Sequence, residues 1–178
     1  MQDNLPKRKL LRLRRYDYSS DGVYFITICT DKKLHTLSRI IYDNHNPEKP
    51  FVKLTASGEL IDKLIKHLPT RYPFASVCTY VIMPNHIHLL LKISRTIPPI
   101  DRRGGVSPPA TTSVPAIIAW LKYHSTKAIR ERSLTMQTKV FQRSYYDHIV
   151  RNRDDYEEIH RYICENPLRW HIDCFYSE

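Results

Sequence analysis

Residues 74–93 read FASVCTYVIMPNHIHLLLKI, and this stretch decides the fold. Phe74 to Met83 and His86 to Ile93 are strand-like runs, and Pro84-Asn85 breaks them into a pair. Successive side chains of a strand point to opposite faces, so His86 and His88 share one face while Ile87, Leu89 and Leu91 share the other. The apolar face predicts packing on helices, which puts the two imidazoles on an open face of the sheet. Spaced about 6–7 Å along the strand, two imidazoles can ligate one metal ion from the same side. The same pattern also describes two surface histidines on a half-exposed strand.

Working outward, Gly22 to Thr30 (GVYFITICT) is β-branched and aromatic and follows a Ser-Ser-Asp-Gly turn, so it reads as the first strand. Residues 38–53 are rich in Asn, Pro and Asp and predict a loop, with at most short pieces of strand. From Thr55 to Leu68 the apolar residues at 60, 61, 64, 65 and 68 follow a helical period, with Thr55 or Ser57 as cap. Residues 94–112 (SRTIPPIDRRGGVSPPATT) predict a flexible Pro/Gly-rich loop. Ser113 to Arg132 predicts the second long helix, and Val140 to Arg143 a fourth strand. A last helix is expected over 154–166, capped by Asp154 or Asp155 and ended by Pro167. The order strand, helix, strand, strand, helix, strand predicts an α+β fold. It is a ferredoxin-like βαββαβ antiparallel sheet with helices on one face, plus the C-terminal helix.

The whole chain has 178 residues, 42% of them hydrophobic, which suits one domain with its own core. We expect residues 1–20 to form a basic arm and 21–178 a single domain. No run of about 18 apolar residues exists, which argues against a transmembrane helix. The N-terminus MQDNLPKRKLLRLRR lacks the apolar core of a secretory signal. Cys29, Cys78, Cys164 and Cys174 show no CxxC spacing and read as thiols of a reducing compartment. His171 and Cys174 are too few for a structural zinc site. These features predict a cytoplasmic, nucleoid-associated protein with no membrane partner, as a monomer or homodimer.

The net charge is +10 and uneven. Lys7, Arg8, Lys9, Arg12, Arg14 and Arg15 face only Asp3 in the first 15 residues, whereas the segment after 153 is acidic. A polyanion is the natural partner of such a surplus, because phosphate binding is driven by counterion release. In the arm, Arg12, Arg14 and Arg15 are candidates for phosphate contacts, and Tyr16 and Tyr18 for stacking on unpaired bases. A solvated basic tail has the same composition.

On the last helix, Tyr162 and Asn166 are one turn apart and project from the same flank. A tyrosine hydroxyl can attack a polarised phosphate, and an amide oxygen one turn away can ligate a hard cation. Equally, a half-buried aromatic and a cap residue before proline would give this pattern.

Taken together, MPNHIHLLL (83–91), YYDHIVRN (145–152) and RYICENPLRW (161–170) resemble the REP-associated tyrosine transposases, a branch of the HUH single-tyrosine enzymes. The likeness begins at RLRRYDYSSDGVYFITICT (12–30) and spans nearly the whole chain. The resemblance implies a ferredoxin-like fold, which agrees with the reading above. It further implies that His86, His88 and Asn166 hold a divalent metal, Mg²⁺ or Mn²⁺, and that Tyr162 is the nucleophile. The implied activity is cleavage and rejoining of single-stranded DNA at a REP-like hairpin, through a 5′-phosphotyrosine and a free 3′-hydroxyl. His148 lies in a matching segment and is a candidate DNA contact. Two other functions fit parts of the pattern. A non-catalytic or domesticated nucleic-acid-binding module needs neither the histidine pair nor Tyr162, and a metal-dependent hydrolase would use water in place of Tyr162.

Overall fold

The two-residue alternation in the central strand organises the molecule. The computed structural model describes residues 16–43, 46–94, 113–132 and 139–176. The strands are β1 (Gly22–Cys29), β2 (Ser38–Asp43), β3 (Asn46–Leu54), β4 (Ala75–Ile82), β5 (His86–Ile93) and β6 (Tyr146–Val150). The helices are α1 (Ala56–Arg71), α2 (Val114–Glu131) and α3 (Arg153–Glu165). Four strands form one antiparallel sheet in the order β4-β5-β1-β6. Together with α1 and α2 this is the expected ferredoxin-like arrangement.

Tyr24, Ile26 and Ile28 of β1 and Ile87, Leu89 and Leu91 of β5 are fully buried. They meet Ile61, Ile65 and Leu68 of α1 and Ile117, Ile118 and Leu121 of α2 in one core. Each aliphatic side chain buried this way contributes about 1.5–3 kcal/mol. The opposite face holds Phe25, Thr27, His86 and His88, and α3 lies over it. Among the described residues no helix is long and apolar enough to cross a membrane.

The structure corrects four local expectations. Residues 38–54 are not a loop but a separate two-stranded sheet, β2-β3, with an irregularity between Ile41 and Asp43. This hairpin is held by its own ladder, and at its base Leu54 packs against the core. The fourth strand of the main sheet is Tyr146–Val150, which pairs with Val23 to Thr27, whereas Phe141 makes only an isolated bridge to Thr30. The cap of α3 is Asn152, whose side chain accepts from the Asp155 N–H at 2.8 Å. The Asp155 carboxylate in turn accepts from the Arg151 N–H, just before the cap, at 3.0 Å. Helix α1 continues past Leu68 through Pro69 to Arg71.

Thr55 and Ser113 do cap α1 and α2, each accepting from a backbone N–H three residues on. The Thr55 hydroxyl also donates to the Leu37 carbonyl at 2.9 Å, as its N–H does at 3.0 Å. Helix α1 therefore starts against the backbone at the base of β2. That approach requires Gly58: a β-carbon there would lie 2.1 Å from the Leu37 carbonyl oxygen. Because backbone is in the way, Gly58→Ala is expected to cost about 1–3 kcal/mol of stability. Urea unfolding of the two proteins measures it, and an unchanged midpoint would contradict this packing.

Candidate active site

Alternation along β5 places both imidazoles on one face, and each ring is fixed from behind by a polar neighbour. The Nδ1 of His88 is 2.8 Å from the Thr27 hydroxyl, across the β1–β5 register that sets Thr27 opposite His88. The Nδ1 of His86 is 2.8 Å from Asn85 Oδ1. Asn85 Nδ2 donates to the Phe175 carbonyl at 2.8 Å, which orients the amide and makes Oδ1 the acceptor. His86 thus carries its proton on Nδ1 and turns a lone pair on Nε2 inward. The two Nε2 atoms converge to 3.0 Å. They either share one proton or face a cation together.

Helix α3 brings the tyrosine. Its hydroxyl is 3.3 Å from His88 Nε2 and donates to Asp173 Oδ2 at 2.9 Å. One turn later, Asn166 Nδ2 donates to the same carboxylate oxygen at 2.7 Å. The other oxygen of Asp173 accepts from the Phe175 N–H at 2.6 Å. Asn166 is 1% exposed, and its Oδ1, beside His86, has no hydrogen bond of ordinary geometry. A buried amide oxygen left in this way is costly unless something accepts its lone pairs. One ligand atom from each of His86, His88 and Asp173 lies within 4.8 Å of the others. Two neutral imidazoles and a carboxylate, with the Asn166 amide oxygen nearby, make a donor set that could hold a divalent metal ion.

The electrostatics agree with ligands kept neutral. Burial pushes His86 down to about 4, against the pull of the Asp173 carboxylate. Burial, and then the neighbouring His86, hold His88 well below its ordinary value. The Tyr162 hydroxyl is raised above an ordinary phenol, first by burial and then by Asp173. It therefore rests protonated, with its proton already directed at a carboxylate.

His86, His88, Tyr162 and Asn166 are thus brought together. The face they occupy is not open, however, as the alternation alone predicted. Both histidines are completely buried. The ring of Phe175 lies 4.9 Å from His86 and 5.8 Å from His88, and Trp170 lies 5.9 Å from His86. The segment after α3 folds back over the sheet and covers the pair.

Asp173 escaped the sequence reading. It follows a Pro-terminated helix and a short 3₁₀ turn over Trp170–Ile172, and no period relates it to the histidines. Its neighbours His171 and Cys174 attracted attention only as an incomplete zinc pair.

The remaining candidates lie elsewhere. His148 is cross-strand from Phe25 on the same face, with Nε2 3.0 Å from Asp155. It joins β6 to the first turn of α3 and does not touch the histidine pair directly. Tyr18 is buried and Tyr16 partly so. Both pack on Tyr24, whose side chain belongs to the helical side of the sheet. This packing sets Tyr16 and Tyr18 against the face of the sheet opposite His86 and His88. Arg12, Arg14 and Arg15, and residues 95–112 of the Pro/Gly-rich loop, lie outside the described residues.

Comparison with known proteins gives two findings. An uncharacterised protein of Haemophilus influenzae is 31% identical over 178 residues, spanning 96% of this chain and 94% of its own. A solved REP-associated tyrosine transposase, bound to a REP hairpin, superposes with a TM-score of 0.59 at 18% identity, over 89% of this chain and 73% of that one. No protein-family model matches.

Buried neutral histidines make a prediction for the metal-free protein. The folded His86 binds its proton near pH 4, whereas an unfolded histidine does so near 6.5. The unfolded state therefore gains protons first as pH falls. The stability contribution is intact above about pH 6.5 and is lost progressively towards pH 4, by on the order of 3 kcal/mol. Urea midpoints taken in chelator across that range should fall, and should fall less in a His86→Gln, His88→Gln variant. A flat native profile would contradict the burial.

Proposed function

Because this chain belongs to one family with the Haemophilus influenzae protein and has the fold of the REP-associated tyrosine transposases, we propose that it is a tyrosine transposase. In this reading it cuts and rejoins single-stranded DNA beside a hairpin. The observation that carries the proposal is the Tyr162 hydroxyl held between His88 Nε2 at 3.3 Å and Asp173 Oδ2 at 2.9 Å. A nucleophile, its proton acceptor and a ligand set meet at one point. The solved structural neighbour is bound to a REP hairpin, and the same kind of DNA is the substrate proposed here. The +10 charge suits it.

His86, His88 and Asn166 are the proposed ligands of Mg²⁺ or Mn²⁺, with Asp173 beside them. Such an ion supplies Lewis-acid polarisation of the scissile phosphate. Asn85 and Thr27 act as positioning residues, holding the two rings by their Nδ1 atoms so that both Nε2 atoms point inward. Tyr162 Oη attacks phosphorus as its proton passes to Asp173 Oδ2, to which it already donates. A P–O bond to Tyr162 forms, and the bond to the 3′ oxygen breaks. That oxygen leaves as a hydroxyl by taking up the proton that Asp173 received from Tyr162, and the 5′ end stays on the tyrosine. Attack by another 3′-hydroxyl reverses the step and rejoins strands without ATP. Burial of the phenol keeps it protonated until substrate arrives, which limits stray nucleophilicity.

Tyr162→Phe removes one hydroxyl and keeps the ring. It should abolish the covalent protein–DNA adduct on a denaturing gel while leaving hairpin and Mn²⁺ binding intact. Tyr145→Phe, Tyr146→Phe and Tyr156→Phe should all retain the adduct. Continued cutting by Tyr162→Phe without adduct would instead indicate a hydrolase that uses water. Absence of any cutting by the native protein would indicate a binding module.

Calorimetric titration with Mn²⁺ tests the ligands separately. The His86→Ala, His88→Ala double variant should lose the binding heat of the native protein, and Asn166→Ala should bind more weakly. Equal binding by the native protein and the double variant would remove the metal from this site.

A further inference from the structure

The edge strand of the main sheet offers a surface that the transesterification chemistry leaves unused. β6 is the outermost strand, beside β1. Its Tyr146 stands in one cross-strand row with Thr27 and His88. With strands spaced about 4.8 Å apart, Tyr146 lies roughly 10 Å from His88 on the same face. Unlike the histidines it is 50% exposed, and its ring is 5.8 Å from that of Phe175, which covers the histidine pair. An aromatic ring with an open face beside a phosphate-processing site is suited to an unpaired base, since a duplex has no free base face to give it.

The chain leading into β6 is braced from below. Lys122 of α2 donates from Nζ to the carbonyls of Gln142, Arg143 and Ser144, the last two at 3.0 and 3.4 Å. Three carbonyls thus converge on an ammonium that has three donors. Burial lowers the Lys122 pKa, consistent with a group spent on structure. Lys139 and Arg143, both exposed, stand at an open cavity of about 400 Å³ between this segment and α2. Lys122, Lys139 and Arg143 in its lining face one carboxylate, Asp31. Lys139 and Arg143 therefore stand on the segment that leads into β6 and its exposed ring.

We propose that this edge, from Lys139 to Tyr146, is a track for the single-stranded DNA that runs into the His86/His88 site. Tyr146 is its base-stacking platform, and Lys139 and Arg143 are its phosphate contacts. The inference rests on the reading of the chain as an enzyme of single-stranded DNA, and it assigns where the unpaired strand lies.

The test uses the full chain, fluorescence anisotropy and two probes: a hairpin with a single-stranded thymidylate tail and the same hairpin without one. The tail should tighten binding by the native protein. Tyr146→Ala should weaken tailed binding by about 5- to 100-fold and erase the difference between the probes. Tyr146→Phe, which keeps the ring, should preserve the difference. A Lys139→Gln, Arg143→Gln variant should lower the salt slope for the tailed probe by roughly 1.4, from about 0.7 per lost contact. Tyr162→Phe should keep the tail effect, so failure of the adduct chemistry and failure of the track are separable. The track is overturned if the tail adds nothing for the native protein, or if Tyr146→Ala leaves its contribution unchanged.

Discussion

Two imidazole nitrogens held 3.0 Å apart in a fully buried position are the constraint on which this structure turns. Neither ring can be charged there without a large desolvation cost, and the two cannot both point lone pairs at each other without something between them. The strand that carries them supplies the solution on its other face. Ile87, Leu89 and Leu91 anchor β5 in the helical core, so the histidines cannot slide out of register without exposing those residues. The same packing that stabilises the domain thereby fixes the site.

The second face is covered by polar chemistry as much as by hydrophobic burial. Asp173 receives the Tyr162 hydroxyl and the Asn166 amide on one oxygen and the Phe175 N–H on the other. A single carboxylate thus ties α3 to the segment that follows it and sets Tyr162 and Asn166 relative to the histidines. Phe175 is linked in turn to Asn85, and Asn85 to His86. In this network Asn166 Oδ1 has no hydrogen bond of ordinary geometry, which makes it a candidate ligand atom. In low-dielectric surroundings such a network rigidifies the groups it joins, which suits the role proposed for Tyr162.

Much of this was legible in the sequence because period and punctuation are local. The alternation in residues 86–93, the β-branched run after Gly22 and the helical spacing of Leu60, Ile61, Leu64, Ile65 and Leu68 each predict an element. Their order predicts the sheet. The errors fall where partners distant in sequence decide. Val140 to Arg143 and Tyr146 to Val150 are comparably strand-like, and only the register against Val23 to Thr27 selects the second. In the β2-β3 hairpin the Asp, Asn and Pro residues over 43–50 outweigh two short apolar runs, Ile40 to Tyr42 and Phe51 to Leu54, which only cross-strand pairing reveals. Asn152 displaced two aspartates as the cap because its backbone, not its charge, has the extended geometry the position requires. At the site, His86, His88, Tyr162 and Asn166 stood out through spacing and resemblance. Asp173 did not, since a turn after a helix-ending proline leaves no periodic trace. Nor did spacing reveal that the histidine face is covered, because coverage depends on where Trp170 and Phe175 fold after α3.

The central proposal is that Tyr162 Oη is the atom that reaches phosphorus. Its most direct test is peptide mapping by mass spectrometry of the native protein after incubation with Mn²⁺ and a hairpin carrying single-stranded flanks. The account predicts one DNA-linked peptide, with the nucleotide phosphate on Tyr162. Attachment to another residue, or cleaved DNA with no peptide modified, would contradict it.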